Sequence, residues 1–350
     1  MSTISINNSK IGRGQPVFLI AEAGINHNGD IAKAHQLIEA AQAAGADAVK
    51  FQTFITNEVI ATDAPLAKHM LTNVGQKQSH YKLVSKLELP FEAFVELKQH
   101  CEESGLVFIS TPYDSSSAQW LLDIKSEIIK IASSELTNFP LLDIVGRSKI
   151  PVLLSTGMST WEEIVGSVEF LEQYHKDICI LKCTSNYPAS PEGANLLGIT
   201  KLAEKFPHLV IGFSDHSEGN EISLAAVSFG VSVIERHFTL NKKLWGPDHR
   251  ASMTPNEFAR LVSSVRKIER AFGIKDWEVQ KEELSQRETM RKGTYAKHDI
   301  KKNQTITMAD VKFLRPSGKI SPKDFYLHYR NRLATKTLPG QSELGPEDFQ

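Results

Sequence analysis

From residue 17 to residue 271, short apolar runs alternate with amphipathic segments. The runs at 17–24, 48–54, 107–111, 128–133, 152–156 and 179–185 have the length and the branched or aromatic content of buried strands. Two more runs, ending in Ser214-Asp215-His216 and Glu235-Arg236-His237, flank a small-residue helix at 222–230 that a glycine closes. Between the runs, helical periodicity marks 30–44, 91–104, 116–122, 140–147, 160–174, 197–205 and 255–271. Asp30 caps the first of these and Gly45 ends it; Thr254 caps the last, with Pro255 at its first position. Eight strands alternating with eight helices over about 250 residues predict a (β/α)8 TIM barrel. An open doubly wound sheet is disfavoured, because no glycine-rich phosphate loop follows the first strand.

Residues 57–89 are too long for an ordinary connection and are expected to run over the barrel mouth. After Gly273 the pattern changes. Residues 281–291 are charged and helical in pattern; from Thr294 onward the chain has short strands and turns. The expected organisation is a catalytic barrel at 1–275, a linker at 276–293 and a small, mostly β domain at 294–350. A unit of roughly 60 residues is marginal by itself and needs a partner surface.

Composition narrows the classes of function. A net charge of −1 gives no reason to expect nucleic acid or an anionic membrane as partner, and no apolar run approaches transmembrane length. The N-terminus lacks the basic-then-apolar order of a signal peptide. Cys101, Cys179 and Cys183 are too few and too irregular for a disulfide scaffold or a zinc site, so reduced thiols in a cytoplasmic protein are expected.

In such a barrel the chemistry lies where the strands end. His216 and His237 fall on adjacent strand ends, roughly 5 Å apart at the backbone, where two imidazoles can share a divalent metal. The alternative is a pair of hydrogen-bonded rim residues. Lys50 and Gln52 share a face by alternation, and Lys130 lies inside a strand. A lysine is costly to bury alone, so each either pairs with Glu22 or Glu135 or serves an anion. Thr111, Ser133, Ser185 and Ser214 end neighbouring strands and would add the hydroxyl donors that a phosphate needs. Glu22 and Glu135 can orient a sugar hydroxyl or a lysine, or transfer protons if burial raises their pKa. Lys182 can point outward as a solvated residue, and Arg236 falls on the opposite face, where structural pairing is expected.

Taken together, Ile20-Ala-Glu-Ala-Gly-Ile-Asn-His-Asn-Gly29, Val49-Lys-Phe-Gln-Thr53, Phe108-Ile-Ser-Thr-Pro112, Ile129-Lys-Ile-Ala-Ser-Ser-Glu135, Leu154-Ser-Thr-Gly-Met158, Gly212-Phe-Ser-Asp-His216, Glu235-Arg-His-Phe-Thr239 and Gly246-Pro-Asp248 resemble the sialic acid (N-acetylneuraminate) synthase family. These are phosphoenolpyruvate-condensing enzymes that make nonulosonic acids. Lys312-Phe-Leu-Arg-Pro316 resembles part of the antifreeze-like (SAF) domain that follows their barrel. The resemblance implies that His216 and His237 bind a divalent metal, commonly manganese, with magnesium as the alternative. It implies that Lys50, Thr111, Lys130, Ser133, Ser185 and Ser214 hold phosphoenolpyruvate. Gln52, Glu135, Tyr187, Asp248 and Glu22 would line the amino-sugar site, with Glu22 and Glu135 as the candidate catalytic carboxylates. Arg315 would reach the sugar's acetamido group from the other subunit of a domain-swapped homodimer.

The implied reaction joins phosphoenolpyruvate to N-acetylmannosamine, giving N-acetylneuraminate and phosphate. The alternative within the family is a legionaminic or pseudaminic acid synthase acting on a diacetamido-trideoxy-hexose. Ser185 stands where the sialic acid branch carries asparagine. A class II aldolase and a non-catalytic binding protein are the readings outside the family, and the clustered lysines, histidines and carboxylates argue against the second.

Overall fold

The computed structural model describes residues 3–6, 9–66, 68–74, 79–274 and 276–350. The chain separates into two compact units, one ending at Gly273 and one beginning at Ile274.

In the first unit, eight parallel strands close into a barrel: β1 (Phe18–Gly24), β2 (Ala48–Thr53), β3 (Val107–Pro112), β4 (Ile129–Ile131), β5 (Val152–Ser155), β6 (Ile178–Cys183), β7 (Val210–Asp215) and β8 (Val233–His237), with β8 pairing back onto β1. The helices that follow the strands are α1 (Ile31–Ala43), α2 (Phe91–Glu103), α3 (Ser115–Asp123), α4 (Phe139–Ser148), α5 (Trp161–Leu171), α6 (Leu197–Lys205), α7 (Glu221–Ser228) and α8 (Pro255–Ala271). This is the (β/α)8 architecture that the alternation of the sequence predicts. Its local signals hold. The Asp30 carboxylate accepts the amides of Ala32 and Lys33 at the start of α1, and Gly45 takes φ +81° after its end. Thr254 and Glu257 form a capping box around Pro255 at the start of α8. One expectation is corrected: β4 is only Ile129–Ile131, because the chain turns at Ala132 into a 3-10 turn, Ser133–Glu135, instead of running on to Ser133 as strand.

The pleat of the strands sorts the side chains. Leu19, Val49, Phe108, Leu154, Ile180 and Ile234 face the helices in the larger core. Ile20, Ala48, Ile109, Leu153, Leu181 and Val233 face inward, where a second core fills the lower barrel. An antiparallel hairpin, Thr3–Ile6 with Ser9–Gly12, adds Ile4, Ile6 and Ile11 to that inner core. Apolar side chains therefore occupy the N-terminal end of the barrel, and the inward polar positions lie at the C-terminal end. Residues between β2 and α2 include three short helices, Thr56–Val59, Lys68–Val74 and His80–Val84. They pack on Ile25 and Phe54 through Leu66, Val74, Leu83 and Leu87, and the Asn73 side chain donates to the carbonyl of Pro247. The excursion thus covers strand ends, as its length implied.

The second unit has its own core, built from Ala296, Ile300, Ile306, Val311, Ile320 and Phe325 among others. Two small antiparallel sheets frame it, Gly293–Ala296 with Val311–Leu314 and Thr305–Ile306 with Arg332–Leu333. A short helix, Leu284–Met290, precedes them.

Candidate active site

Strand register brings the inward polar positions together. Glu22 is level with both Lys50 and His237, Gln52 with Thr111, and Ser214 with both Cys183 and Glu235. Lys50 Nζ lies 2.8 Å from Glu22 Oε2, donates to Thr111 Oγ1 at 3.1 Å and approaches Glu235 Oε2 at 3.8 Å. Lys130 Nζ approaches Glu235 Oε1, also at 3.8 Å. Ser214 Oγ donates to the same Glu235 oxygen at 2.8 Å, and Gln52 Nε2 donates to Glu22 Oε1 at 3.1 Å.

The charges follow from this arrangement. Burial pulls the Lys50 pKa down, but the two flanking carboxylates more than reverse it and keep the ammonium charged. Burial lowers the Lys130 pKa, and Glu235 only partly offsets that. Burial raises the Glu22 carboxyl, against the pull of Lys50. Burial also works against Glu235, but Lys130 and Lys50 together hold it below the usual carboxylate range. Lys50 therefore takes the Glu22 partner expected of it, whereas the partner of Lys130 is Glu235 and not Glu22 or Glu135. The missed counter-ion was legible: Glu235 is two residues before His237, so alternation puts both on the inner face.

The two imidazoles face each other with ring centroids 5.3 Å apart, and the Tyr187 ring packs 4.2 Å from His216 and 5.5 Å from His237. His216 Nδ1 is 2.9 Å from the Thr184 carbonyl, which makes Nδ1 the donor, so that in the neutral ring Nε2 keeps the lone pair. Burial works against the charged form of His216, while the nearby Cys183 sulfur and the Thr184 carbonyl raise its pKa. His237 is held well below the ordinary range, by burial first and then by His216 and Lys50. Its Nδ1 is buried without a hydrogen-bond partner. Two facing imidazoles with available ring nitrogens fit a divalent metal that takes nitrogen ligands. Among the described residues no group of three or more His, Cys, Asp or Glu side chains is arranged to hold a metal, so the remaining ligands would be water or substrate.

Across the mouth, Gly157 N donates to Ser133 Oγ at 2.9 Å. A Cβ on Gly157 would lie 2.8 Å from that oxygen and 2.2 Å from Ser185 Oγ. The two hydroxyls therefore converge on bare backbone. Ser155 Oγ, Glu235 Oε2 and His237 Nδ1, all on inward positions, are buried without hydrogen-bond partners; such groups are uncommon in a finished core and common where a ligand completes them. On the β1 side, Asp248 is buried, and burial with Glu22 nearby raises its carboxyl to about 6. Glu135 is half-buried and accepts from Asn138 Nδ2 at 2.7 Å. Tyr113, edge-on to Phe54, is a further residue of this region that sequence reasoning left without a role; burial raises its pKa, with Glu22, Asp248 and Glu135 adding to it.

Three further residues lie elsewhere. Lys182 points outward to the helix layer, but it is buried there and not solvated as expected. Arg236 also points outward, where it pairs with Asp215 at 2.6 Å and donates to the carbonyls of Ser217 and Gly219, as expected of a structural residue. Arg315 is exposed in the second unit, directly after the strand Val311–Leu314.

The sequence matches the NeuB family over residues 37–276. The chain belongs to the NeuB family. It is similar to the N,N'-diacetyllegionaminic acid synthase of Campylobacter jejuni, with 39% identity over 321 residues, covering 91% of this chain and 96% of that one. The enzyme of the same name from Legionella pneumophila is 36% identical over 338 residues, covering 95% of each. Among solved structures, the N-acetylneuraminic acid synthetase of Leptospira borgpetersenii in complex with citrate aligns with a TM-score of 0.72 and 34% identity, covering 81% of this chain and 95% of that one. As a NeuB-family member the chain is an enzyme of the sialic acid synthase type, a phosphoenolpyruvate-condensing nonulosonic acid synthase. Among the described residues no helix is long and apolar enough to cross a membrane.

Proposed function

We propose that the barrel mouth joins phosphoenolpyruvate to the open-chain aldehyde of an acetamido hexose. The observation that carries this is the convergence of Lys50 and Lys130 on the inner face beside the His216–His237 pair. Carbon three of phosphoenolpyruvate forms a bond to the aldehyde carbon, and the aldehyde oxygen takes a proton to become a hydroxyl. Water adds at carbon two, the bond from that carbon to the phosphate oxygen breaks, and a ketone and inorganic phosphate result.

Each residue has a part in this reading. Lys50, Lys130 and Thr111 hold the anionic donor, and Ser133, Ser185 and Ser214 give hydroxyls to its phosphate, where fixed donors stabilise charge as it leaves. Gln52, Tyr187 and Asp248 line the acceptor with Glu22 and Glu135. Burial raises the Glu22 carboxyl against the pull of Lys50 and brings that of Asp248 to about 6, so Asp248 can carry a proton near neutral pH. A divalent metal, manganese or magnesium, held by His216 and His237 would supply Lewis acidity toward an aldehyde oxygen. Arg315 of the small unit would contact the acetamido group from a second copy of the chain in a domain-swapped homodimer, as the family resemblance implies.

Two acceptors compete. N-acetylmannosamine would give N-acetylneuraminate. The names of the two legionaminic acid synthases favour a diacetamido-trideoxy-hexose instead. The test is phosphate release from phosphoenolpyruvate against a panel of acetamido sugars, with manganese and after chelation. The sugar that gives the highest kcat/KM is the acceptor; release with none of them would sink the proposal.

A further inference from the structure

Strands β2, β4 and β6 each carry a buried lysine, and the third is unlike the other two. Lys50 and Lys130 face inward and have carboxylates within 4 Å. Lys182 is only 8% exposed and lies on the opposite face of its strand from Cys179, Leu181 and Cys183. It opens into a cleft of about 520 Å³ between the end of β6, the start of α5 and the start of α6. None of the residues lining that cleft is acidic. Lys182 Nζ spends one hydrogen on Thr184 Oγ1 at 2.8 Å, and Thr184 in turn donates to the Gly193 carbonyl. Two N–H groups remain for another acceptor. A second cation, Lys201, stands in the same cleft with its Nζ 4.0 Å above the Trp161 ring, and the side chain of Asn195 also lines it.

A buried ammonium without a counter-ion is expensive unless an anion completes it. Burial lowers the Lys182 pKa, and Cys183 and Asp215 only partly offset that. We propose that this cleft is an anion site for a phosphate group, held by Lys182 and Lys201 on the outer face of β6, distinct from the inward-facing lysines and adjoining the barrel mouth. Two cations in one cleft and no acid in its lining suit a dianion better than a single carboxylate. Ser185 lines the cleft as well, so the site adjoins the place where phosphate would be released. The volume also leaves room for the organic part of a phosphomonoester. Inorganic phosphate and an ester present the same charged head, and the experiment separates them.

The test is calorimetric titration of the full chain with inorganic phosphate. One class of binding is expected to weaken roughly tenfold in Lys201→Ala and in Lys182→Met, and to be unchanged in Lys130→Met, which alters the inner face. Lys201 is exposed, so its replacement does not threaten the fold. Competition in that class by glycerol 3-phosphate assigns the site to esters; its absence assigns it to the free ion. Wild-type binding in both the Lys182 and the Lys201 variant overturns the proposal, as does a loss that Lys130→Met reproduces. The readout is binding and not turnover, so the result stands apart from the identity of the acceptor sugar.

Discussion

Lys50 Nζ lies 2.8 Å from Glu22 Oε2 inside the barrel, and both side chains are almost wholly buried. An ion pair in this setting is less a source of stability than a mutual dependence: removal of one partner strands the other charge at about 3–5 kcal/mol. Lys50→Met and Glu22→Gln are each expected to lower stability on that scale, with Lys50→Met the more damaging because Glu235 would lose a cation as well. The double variant should recover much of the stability and none of the turnover. Denaturant unfolding of the four proteins in the cycle measures the first, and phosphate release measures the second. Additive losses of stability would show that the pair is not coupled.

On the proposed reading, Glu235 would compete with substrate for the same cations. It lies 3.8 Å from both Lys50 and Lys130 and accepts from Ser214. Glu235→Gln frees positive charge toward an incoming anion and loosens the geometry of the lysines. The expected outcome is a kcat lowered by roughly 10–100-fold, with a KM for phosphoenolpyruvate that falls or stays level. A raised KM with unchanged kcat would mean that Glu235 is not a positioning counter-ion.

The facing imidazoles make a separable prediction. His237→Ala is expected to abolish manganese retention and turnover while leaving far-UV circular dichroism unchanged, because its Nδ1 has no protein hydrogen-bond partner to lose. Metal content after dialysis against manganese, read by mass spectrometry, checks it. Wild-type activity of this variant in chelator-treated buffer would remove the metal assignment.

Much of this site is legible from period-two alternation alone. Once β2 and β8 are recognised as strands, Lys50 and Gln52 must share a face, Glu235 and His237 must share one, and Arg236 must face away. The same rule sends Lys182 away from Cys183. The approach of Ser133 and Ser185 is not legible, because it depends on two loops from non-adjacent strands meeting over Gly157. The partner of Lys130 is hidden for a related reason. Glu235 is 105 positions away in the chain, and only barrel closure brings the two together. The hairpin that fills the barrel floor escaped notice because Ile4, Ile6 and Ile11 form no run long enough to stand out from a polar terminus.

Asp248 links its side of the mouth to pH. Its carboxyl titrates at about 6 in the folded protein against an ordinary 3.8. The folded state therefore binds the proton more tightly than the unfolded chain, and stability falls as pH rises from about 4 to about 6. Above that window, the buried charge costs at most about 3 kcal/mol. In the presence of a chelator, Asp248→Asn should raise the melting temperature at pH 7.5 and leave it unchanged at pH 4. Thermal melts at the two pH values decide the matter; a wild-type advantage at pH 7.5 would contradict the sign.

Gly157 offers the most local test of the phosphate end. A methyl group there meets Ser185 Oγ at 2.2 Å and Ser133 Oγ at 2.8 Å, closer than any real Cβ sits. The two closest obstacles are hydroxyls on short side chains, which can rotate away, and Ser133 Cβ at 3.2 Å asks for only a small shift, so Gly157→Ala should still fold at a cost of about 1–3 kcal/mol. The rotation would carry both hydroxyls off the point on which they converge. The expected kinetic result is a KM for phosphoenolpyruvate raised at least roughly tenfold, with kcat at saturation reduced less, since the lysines are untouched. Gly166 supplies the control: it lies within α5 with nothing near a built Cβ, so Gly166→Ala should stabilise the chain by about 0.5–1 kcal/mol and leave KM alone. If Gly157→Ala binds phosphoenolpyruvate as the wild type does, Ser133 and Ser185 are packing residues, and the phosphate must be held on the lysine side of the barrel alone.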